Sequence, residues 1–407
     1  MHCQLAWRNI WRNLRRTAVI LTAIIIGVWT MLMVTALMRG VSNGMVRNAV
    51  STLTGEIQIH AKGFRSDPVI ENSITDMAQV KDVLSRVLPE GSTYAFRIRV
   101  NAIVSNARHS GGITLAGIDP GTESQVSFIG PDAMGTGRYL GEDDKNGILI
   151  GEAVAEKFDT QVGKKLVVMS RDTAGDMASR AFRITGIFHA EMDSTEKQFA
   201  FVHIKTARDM LKLSDGISEV CILLPDGANL DRTASDLSAS LGDGFAVHTW
   251  KEILSAITAY LELFDGFMML WYVVTFIAMG FGIVNTTLMS VFERMREFGV
   301  LKALGMKPWW IVRGVLTESV FLLLLGTAAG DLLTIAAVAV LAATGIDLSS
   351  LAAGAEFAGM SRIIYPSLTL YDVGVANLVV CLLGVMVSTY PAVKAARFTP
   401  VEAMAHT

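Results

Sequence analysis

Charged residues almost disappear from the sequence over four stretches and are ordinary elsewhere. Residues 18–38 (AVILTAIIIGVWTMLMVTALM) run 21 positions without a charge, enough at about 1.5 Å per residue to cross a hydrocarbon core about 30 Å thick. A second uncharged run extends from Phe267 to Phe292, and two more apolar runs occupy residues 314–343 and 373–393. Soluble helices seldom run beyond about 20 residues without a polar face. The four runs are therefore expected to be transmembrane helices. The first is too long for the hydrophobic region of a secretory signal, and Leu37-Met38-Arg39-Gly40 after it offers no small-residue cleavage site.

Between the first two runs the texture changes to that of a soluble domain. GEIQIHA (55–61), YAFRIRVNAIVSN (94–106), GGITLAGID (111–119), KKLVVMSR (164–171), AFRITGIFHAE (181–191) and EVCILLPDG (219–227) are rich in strand-forming residues and carry strand periodicity. Residues 75–88, 151–158 and 205–213 have helical apolar spacing. Gly and Asp clusters through 119–147 read as loops and a subdomain junction. The fold class expected is an α-helical membrane protein with four transmembrane helices plus a large α+β periplasmic or extracellular domain inserted between helices 1 and 2. The expected divisions are an amphipathic helix at 1–16, spans at 17–39, 266–292, 311–343 and 372–393, and the outer domain at 40–265. A connecting helix at 293–310, an outer loop at 344–371 and a tail at 394–407 complete the chain.

Composition agrees with this division. Of 407 residues, 51% are hydrophobic and only 18% charged, against about 25% charged in soluble domains. That excludes a disordered chain and argues against a soluble cytosolic enzyme. The net charge of −3 conceals two opposite compartments: residues 39–265 hold 23 Lys+Arg against 30 Asp+Glu, whereas the flanks of the spans are basic. Arg8, Arg12, Arg15 and Arg16 precede the first span. Arg294, Arg296, Lys302, Lys307 and Arg313 outnumber Glu293 and Glu297 between the second and third, and Lys394 and Arg397 follow the fourth against Glu402. The 344–372 loop has Arg362 against Asp347, Glu356 and Asp372. By the positive-inside rule both termini face the cytoplasm and the large domain lies outside. Trp7, Ile10, Trp11 and Leu14 share one face of the first segment, as in a helix lying in a membrane interface.

Several chemistries find little support. Cys3, Cys221 and Cys381 are too dispersed for a zinc cluster or a disulfide framework, and histidines 2, 60, 109, 189, 203, 248 and 406 form no paired-ligand spacing. No metal site is expected. Gly40-Val41-Ser42-Asn43-Gly44 formally fits a nucleophile elbow, but that motif needs a strand before it and a helix after it. Here a transmembrane run precedes it, so a helix-exit turn is expected.

The most informative segment follows the second span. Glu293-Arg-Met-Arg-Glu-Phe-Gly-Val-Leu-Lys-Ala-Leu-Gly-Met-Lys-Pro reads as a short cytoplasmic helix broken at Gly305 and Pro308. Phe298, Leu301 and Leu304 repeat at helical spacing beside Arg294, Glu297 and Lys302, so the helix could dock in a groove of a soluble partner. The same residues also suit a plain helical hairpin with a basic flank.

The run FGIVNTTLMSVFERMREFGVLKALGMKPWWIV (281–312) resembles the signature of the FtsX/MacB-like permeases of ABC transporters, especially the lipoprotein-releasing LolC/LolE type. Its coupling segment is matched by Glu293, Arg294, Glu297, Phe298, Gly299, Leu301, Lys302, Ala303 and Gly305. LAWRNIWRNLRRT (5–17), GEIQIHAKGF (55–64), GILIGEAVAEKF with VGKKLVV, and YPAVKAARFTPVEAMA (390–405) extend the likeness over nearly the whole chain. The resemblance implies a permease of a bacterial inner membrane whose outer domain is MacB-like. It also implies a second permease subunit, as a homodimer or a LolC/LolE-like heterodimer, and a separate ABC ATPase dimer that binds ATP and Mg. Glu293, Arg296, Glu297, Leu301 and Lys302 would face that ATPase. The implied mechanism is mechanotransmission, moving lipoproteins or other lipidated or amphiphilic cargo, with a periplasmic acceptor protein a further partner and no nucleic acid involved.

The 407 residues contain no G-x-x-x-x-G-K-[ST] phosphate loop, so no ATPase activity and no cofactor are expected in this chain. The alternative within the resemblance is an FtsX-like signalling permease that activates an extracellular cell-wall hydrolase. Glu318 and Asp331 stand in the third span, where acids usually mark function, although Glu318 equally suits an interfacial acid at the cytoplasmic edge. Glu318 matches a family glutamate and Asp331 does not. A proton-driven transporter would use such acids, but broken-helix repeats are missing. Gly326 and Gly330, and Gly280 and Gly282, are read as helix-packing positions.

Overall fold

The computed structural model describes residues 2–142, 144–190, 192–347 and 363–398, with side chains from Trp7 onward. Glu356, Arg362, Glu402 and the rest of the tail beyond Phe398 lie outside the described residues. In chain order, α1 (His2–Arg12) and α2 (Leu14–Ala49) lead through a π-helical turn (Val50–Thr54) to β1 (Ile57–Ala61). Then come α3 (Met77–Val87), β2 (Thr93–Ser105), β3 (Ser110–Ile118), α4 (Pro120–Glu123), β4 (Met134–Gly137), β5 (Gly147–Gly151) and α5 (Glu152–Lys157). These are followed by β6 (Lys165–Arg171), β7 (Met177–Phe188), α6 (Asp193–Gln198), β8 (Phe199–His203), α7 (Ile204–Leu211), β9 (Glu219–Leu223), α8 (Leu230–Leu241), β10 (Phe245–Thr249) and α9 (Trp250–Ile253). Helices α10 (Ser255–Glu293), α11 (Met295–Ala303) and α12 (Pro308–Thr344), the short strands β11 (Ile346–Asp347) and β12 (Ile363–Ile364), and α13 (Leu370–Arg397) follow. Two compact units result, a helical one drawn from Met1–Asn43, Tyr260–Leu348 and Ile363–Thr407, and a sheet unit centred on Gly44–Ala259.

In the helical unit, α2, α10, α12 and α13 are each long and apolar enough to cross a membrane. No more than 33% of the most apolar stretch of each is buried within the chain. Outward-facing Phe281, Leu332, Leu263 and Met386 would form an apolar surface far larger than water tolerates, whereas lipid accepts it. The inward stripe has helical spacing: Ile20, Ile24, Val28 and Leu32 of α2 pack with Tyr272, Phe276 and Ile283 of α10, Leu322 of α12 and Val380 of α13. Gly326 and Gly330 set the closest approach. A Cβ at either would come within 2.5 or 2.8 Å of Ile24 or Val28, so α12 and α2 meet on small residues, as helices do in lipid. Gly280 and Gly282 make no such approach; a Cβ there would have 3.5 and 3.8 Å.

The Gly40–Gly44 motif lies within α2, which runs on to Ala49 because Val41, Met45 and Asn48 keep a buried helical stripe going. It is neither a nucleophile elbow nor the helix-exit turn expected from sequence. Asp372 lies near the start of α13, where it closes a capping box with Thr369 and takes Arg39 of α2 in a two-pronged ion pair, both bonds 2.6 Å.

In the sheet unit, strands lie in the order β10-β1-β9-β2-β3-β8-β5-β7-β4, with β6 pairing both β2 and β7. Strands β2-β3-β8-β5-β7-β6 thus close on themselves as a six-stranded barrel, removing exposed edges. Strand β2 belongs to two layers. Its first part, Thr93–Arg97, pairs with β9, and Ile98–Ser105 pairs with β3. Helices α3, α7 and α8 bury Val80, Leu84, Leu211, Leu237 and Leu241 with Ile98, Val100 and Val220 in the main core. The 119–147 stretch, read as loops, contains β4, which joins β7. Only one residue of β4 is even half-buried, so it has no alternation to reveal it.

Candidate functional site

The site is built where α1, the first turn of α2, the end of α10, α11 and the first third of α12 converge. Helix α10 ends at Glu293, Arg294 breaks the helical geometry with φ −103, and α11 starts at Met295. Gly305, with φ 92, terminates α11 as Gly305 N–H donates to Lys302 O and Met306 N–H to Leu301 O, both 3.0 Å. Left-handed backbone after a helix end suits glycine. Pro308 then opens α12 at the position where a missing N–H does no harm.

Helix α11 has two distinct faces. Inward, Met295, Phe298 and Gly299 are buried. Phe298 packs with Val291, Ile311, Val312, Val315, Ala392 and Ala395, with Leu301 against the same cluster. Arg294 lies over the Phe298 ring at 5.2 Å. Lys302 donates through Nζ to Ala396 O at 2.7 Å and Phe398 O at 2.6 Å, a cation on the terminal carbonyls of α13 where the helix dipole favours it. Outward, Arg296, Glu297, Val300, Ala303, Leu304 and Gly305 are exposed, Leu304 by 81%. The apolar repeat Phe298–Leu301–Leu304 is therefore split between the faces. Leu301 and Lys302, which the family likeness turns toward an ATPase, are turned toward α13. Arg296 and Glu297 of that set remain outward.

An alternating chain of charges fixes the base of α11. Arg12 pairs with Glu297 at 2.9 Å, Glu297 with Arg294 at 3.2 Å, and Arg294 with Glu318 at 3.0 Å. Glu318 then meets Arg16 at 3.5 Å, and Arg16 meets Glu293 at 3.1 Å. Three arginines and three glutamates make it neutral. Glu318 is 8% exposed, enclosed within the helical unit. Its two arginines come from α2 and the α10–α11 break, which explains why a buried acid is tolerated there.

Asp331 stands apart from this chain. Its Oδ2 accepts from Asn377 Nδ2 of α13 at 2.7 Å, and Oδ1 has no partner. It joins two helices and is not brought to α11. Sequence reasoning also passed over Val300 and Trp309 as outward groups, and Arg12 and Arg16 as ion-pair partners; a count of i, i+4 positions from Arg296 would have reached Val300 and Leu304.

Four apolar membrane-length helices and a separate sheet unit define a multi-pass membrane protein with a large folded domain. The family model for the MacB-like periplasmic core domain matches residues 17–240, and that for the FtsX-like permease C-terminal matches residues 269–400. The chain belongs to this FtsX/MacB-like family of ABC transporter permeases and resembles LolC. It is 25% identical over 239 residues to the lipoprotein-releasing system transmembrane protein LolC of Neisseria meningitidis, covering 56% of this chain and 57% of that protein. It is 23% identical over 326 residues to LolC of Xylella fastidiosa, covering 75% and 76%. The pyoverdine export ATP-binding/permease protein PvdT of Pseudomonas syringae is 24% identical over 98% of this chain and 58% of its own length. The chain thus spans little more than half the length of two of these relatives.

Proposed function

We propose that this chain couples ATP hydrolysis on a separate ABC ATPase to movement of its periplasmic domain, and that α11 is the element the ATPase grips. The observation that carries the reading is the division of α11: one face anchored by Phe298, Lys302 and the charge chain, the other presenting Arg296, Val300 and Leu304 one turn apart. Three outward groups at i, i+4 and i+8 form the edge a groove accepts. An element held rigidly on one side and open on the other transmits force instead of absorbing it.

In this reading both termini and α11 lie on the cytoplasmic side of an inner membrane, the large domain is inserted between the first and second spans, and the ATPase dimer holds ATP and Mg. A second permease copy, identical or related, completes the complex. The likeness to the lipoprotein-releasing LolC proteins supports a lipidated or amphiphilic cargo, which in this reading is drawn from the outer leaflet and passed to a periplasmic acceptor. The proposal is tested with Val300→Asp and Leu304→Asp, whose side chains are exposed on the outward face. Each should reduce co-purification of the ATPase by about tenfold, the scale of 1.4 kcal/mol, with thermal unfolding unchanged. Undiminished co-purification from both variants overturns it. Cargo is read separately, from what co-purifies when hydrolysis is trapped: a lipidated protein supports this reading, and a hydrolase contradicts it.

A further inference from the structure

Between α2 and β1 the chain takes a path that its surroundings over-determine. Within the π-helical turn, Leu53 has φ 106 and ψ −6. A left-handed φ at a large non-glycine residue persists only where neighbours impose it. Here they do. The Leu53 side chain is buried with Ile118, Ile129, Leu149, Phe188 and Phe201. Its carbonyl oxygen accepts from Arg97 Nη1 and, at 3.2 Å, from Gln58 Nε2, which also donates to Thr54 O at 2.7 Å. Ser51 O accepts from Phe128 N–H at 2.9 Å. Gly55 follows with φ 64, and a Cβ there would lie 2.3 Å from Cys221 Sγ, so the turn sits directly on β9.

Arg97 is itself immobilised. It is 0% exposed and donates to Glu123 through Nε at 2.9 Å and Nη2 at 2.7 Å, with Glu219 3.5 Å from Nη1. Ser127 Oγ donates to Glu123 at 2.6 Å, and Arg99 lies 3.4 Å from the other oxygen of Glu219. Two arginines and two glutamates make a neutral cluster, wholly buried except at Arg99. Well-packed apolar residues of similar volume often stabilise a core as well as a buried ion cluster does, so the cluster is weak evidence of a stabilising role. What it supplies is a directional bond to one chosen backbone oxygen.

We propose that Arg97, assisted by Gln58, is a positioning residue that fixes the turn before β1 on the sheet, so that any displacement of the Gly44–Ala49 end of α2 is shared by the sheet instead of being lost in the turn. The source of that displacement rests on the ATP-driven reading above. The rigidity does not, and it can be measured without nucleotide or partner. Spin labels are placed at Arg47→Cys and Lys164→Cys, both exposed, in the full chain with Cys3 and Cys381 replaced by serine. Cys221 is left in place, since burial pushes its thiol up to about 12. The distance distribution should be narrow in the parent chain. Gln58→Met, which keeps the volume and removes both donated bonds, should widen it about twofold. Leu53→Gly keeps the backbone angle accessible but empties a buried position, so it should widen the distribution as much when measured well below its own lowered unfolding temperature. A purely structural role would move the unfolding temperature and leave the width alone. A broad parent distribution, or no widening in either variant, shows a hinge and overturns the joint, whatever becomes of the ATPase assignment.

Discussion

Two ionic clusters among the described residues, one around Arg97 and one around Glu318, use the same side chains to opposite effect. Around Arg97 three charges are wholly buried in the sheet unit, Arg97, Glu123 and Glu219, with the partly exposed Arg99 beside Glu219. Along Arg12–Glu297–Arg294–Glu318–Arg16–Glu293 the charges grade from exposed ends to a buried centre: Arg12 and Glu297 are half exposed, while Glu318 is enclosed. The first arrangement has no way to open without leaving a bare charge in the core. The second can exchange its outer members with a partner while the centre holds. Burial, not the count of ion pairs, separates a fixed joint from a surface that can be remade.

The contrast is sharpened by breaking each cluster in turn. Arg97→Met leaves Glu123 buried without its cation and Glu219 with Arg99 alone, and should lower the stability of the sheet unit by about 3–5 kcal/mol, measured by denaturant unfolding of the full chain with hydrogen exchange read at β2 and β9. Glu318→Gln removes the centre of the graded chain. Losing charge-assisted bonds of about 1.5–3 kcal/mol should speed amide exchange in α11 at least about tenfold, with β2 and β9 unaffected. Acid provides a gentler probe. Burial alone would raise the Glu219 carboxyl, but Arg99 and Arg97, with His60, outweigh it and hold it below the usual carboxylate range. A depressed carboxylate contributes stability above the unfolded value of about 4.3 and loses it as pH falls through the lower folded value. Melting of the sheet unit should therefore be insensitive to Glu219 near neutrality and fall in acid, and Glu219→Gln should flatten that acid limb. Arg12→Ala should have the smallest effect, at most about 1 kcal/mol and vanishing in high salt, seen as a salt-dependent change in α11 exchange.

The sequence displayed the helices more fully than the sites. Four apolar runs were legible because lipid demands continuity, and α3, α5 and α7 because their buried residues keep helical spacing. Barrel closure was not legible, since it depends on β6 pairing with both β2 and β7, a long-range choice that no local period encodes. The family motif placed attention on 293–305, but a motif does not say which way a side chain turns. Lys302 faces inward because the end of α13 supplies two carbonyls for it, a partner 94 residues away. Arg97 was read only as one position in a strand. Nothing in YAFRIRV distinguishes an arginine that faces water from one that faces Glu123 and Leu53 O.

The most direct test of the account is a photo-crosslinking scan, one residue at a time, through Met295–Gly305 of the assembled complex. The account predicts crosslinks to the ATPase at Arg296, Val300 and Leu304 and none at Phe298, Gly299 or Lys302. Equal crosslinking at all of these, or crosslinks from the inward set alone, would contradict it.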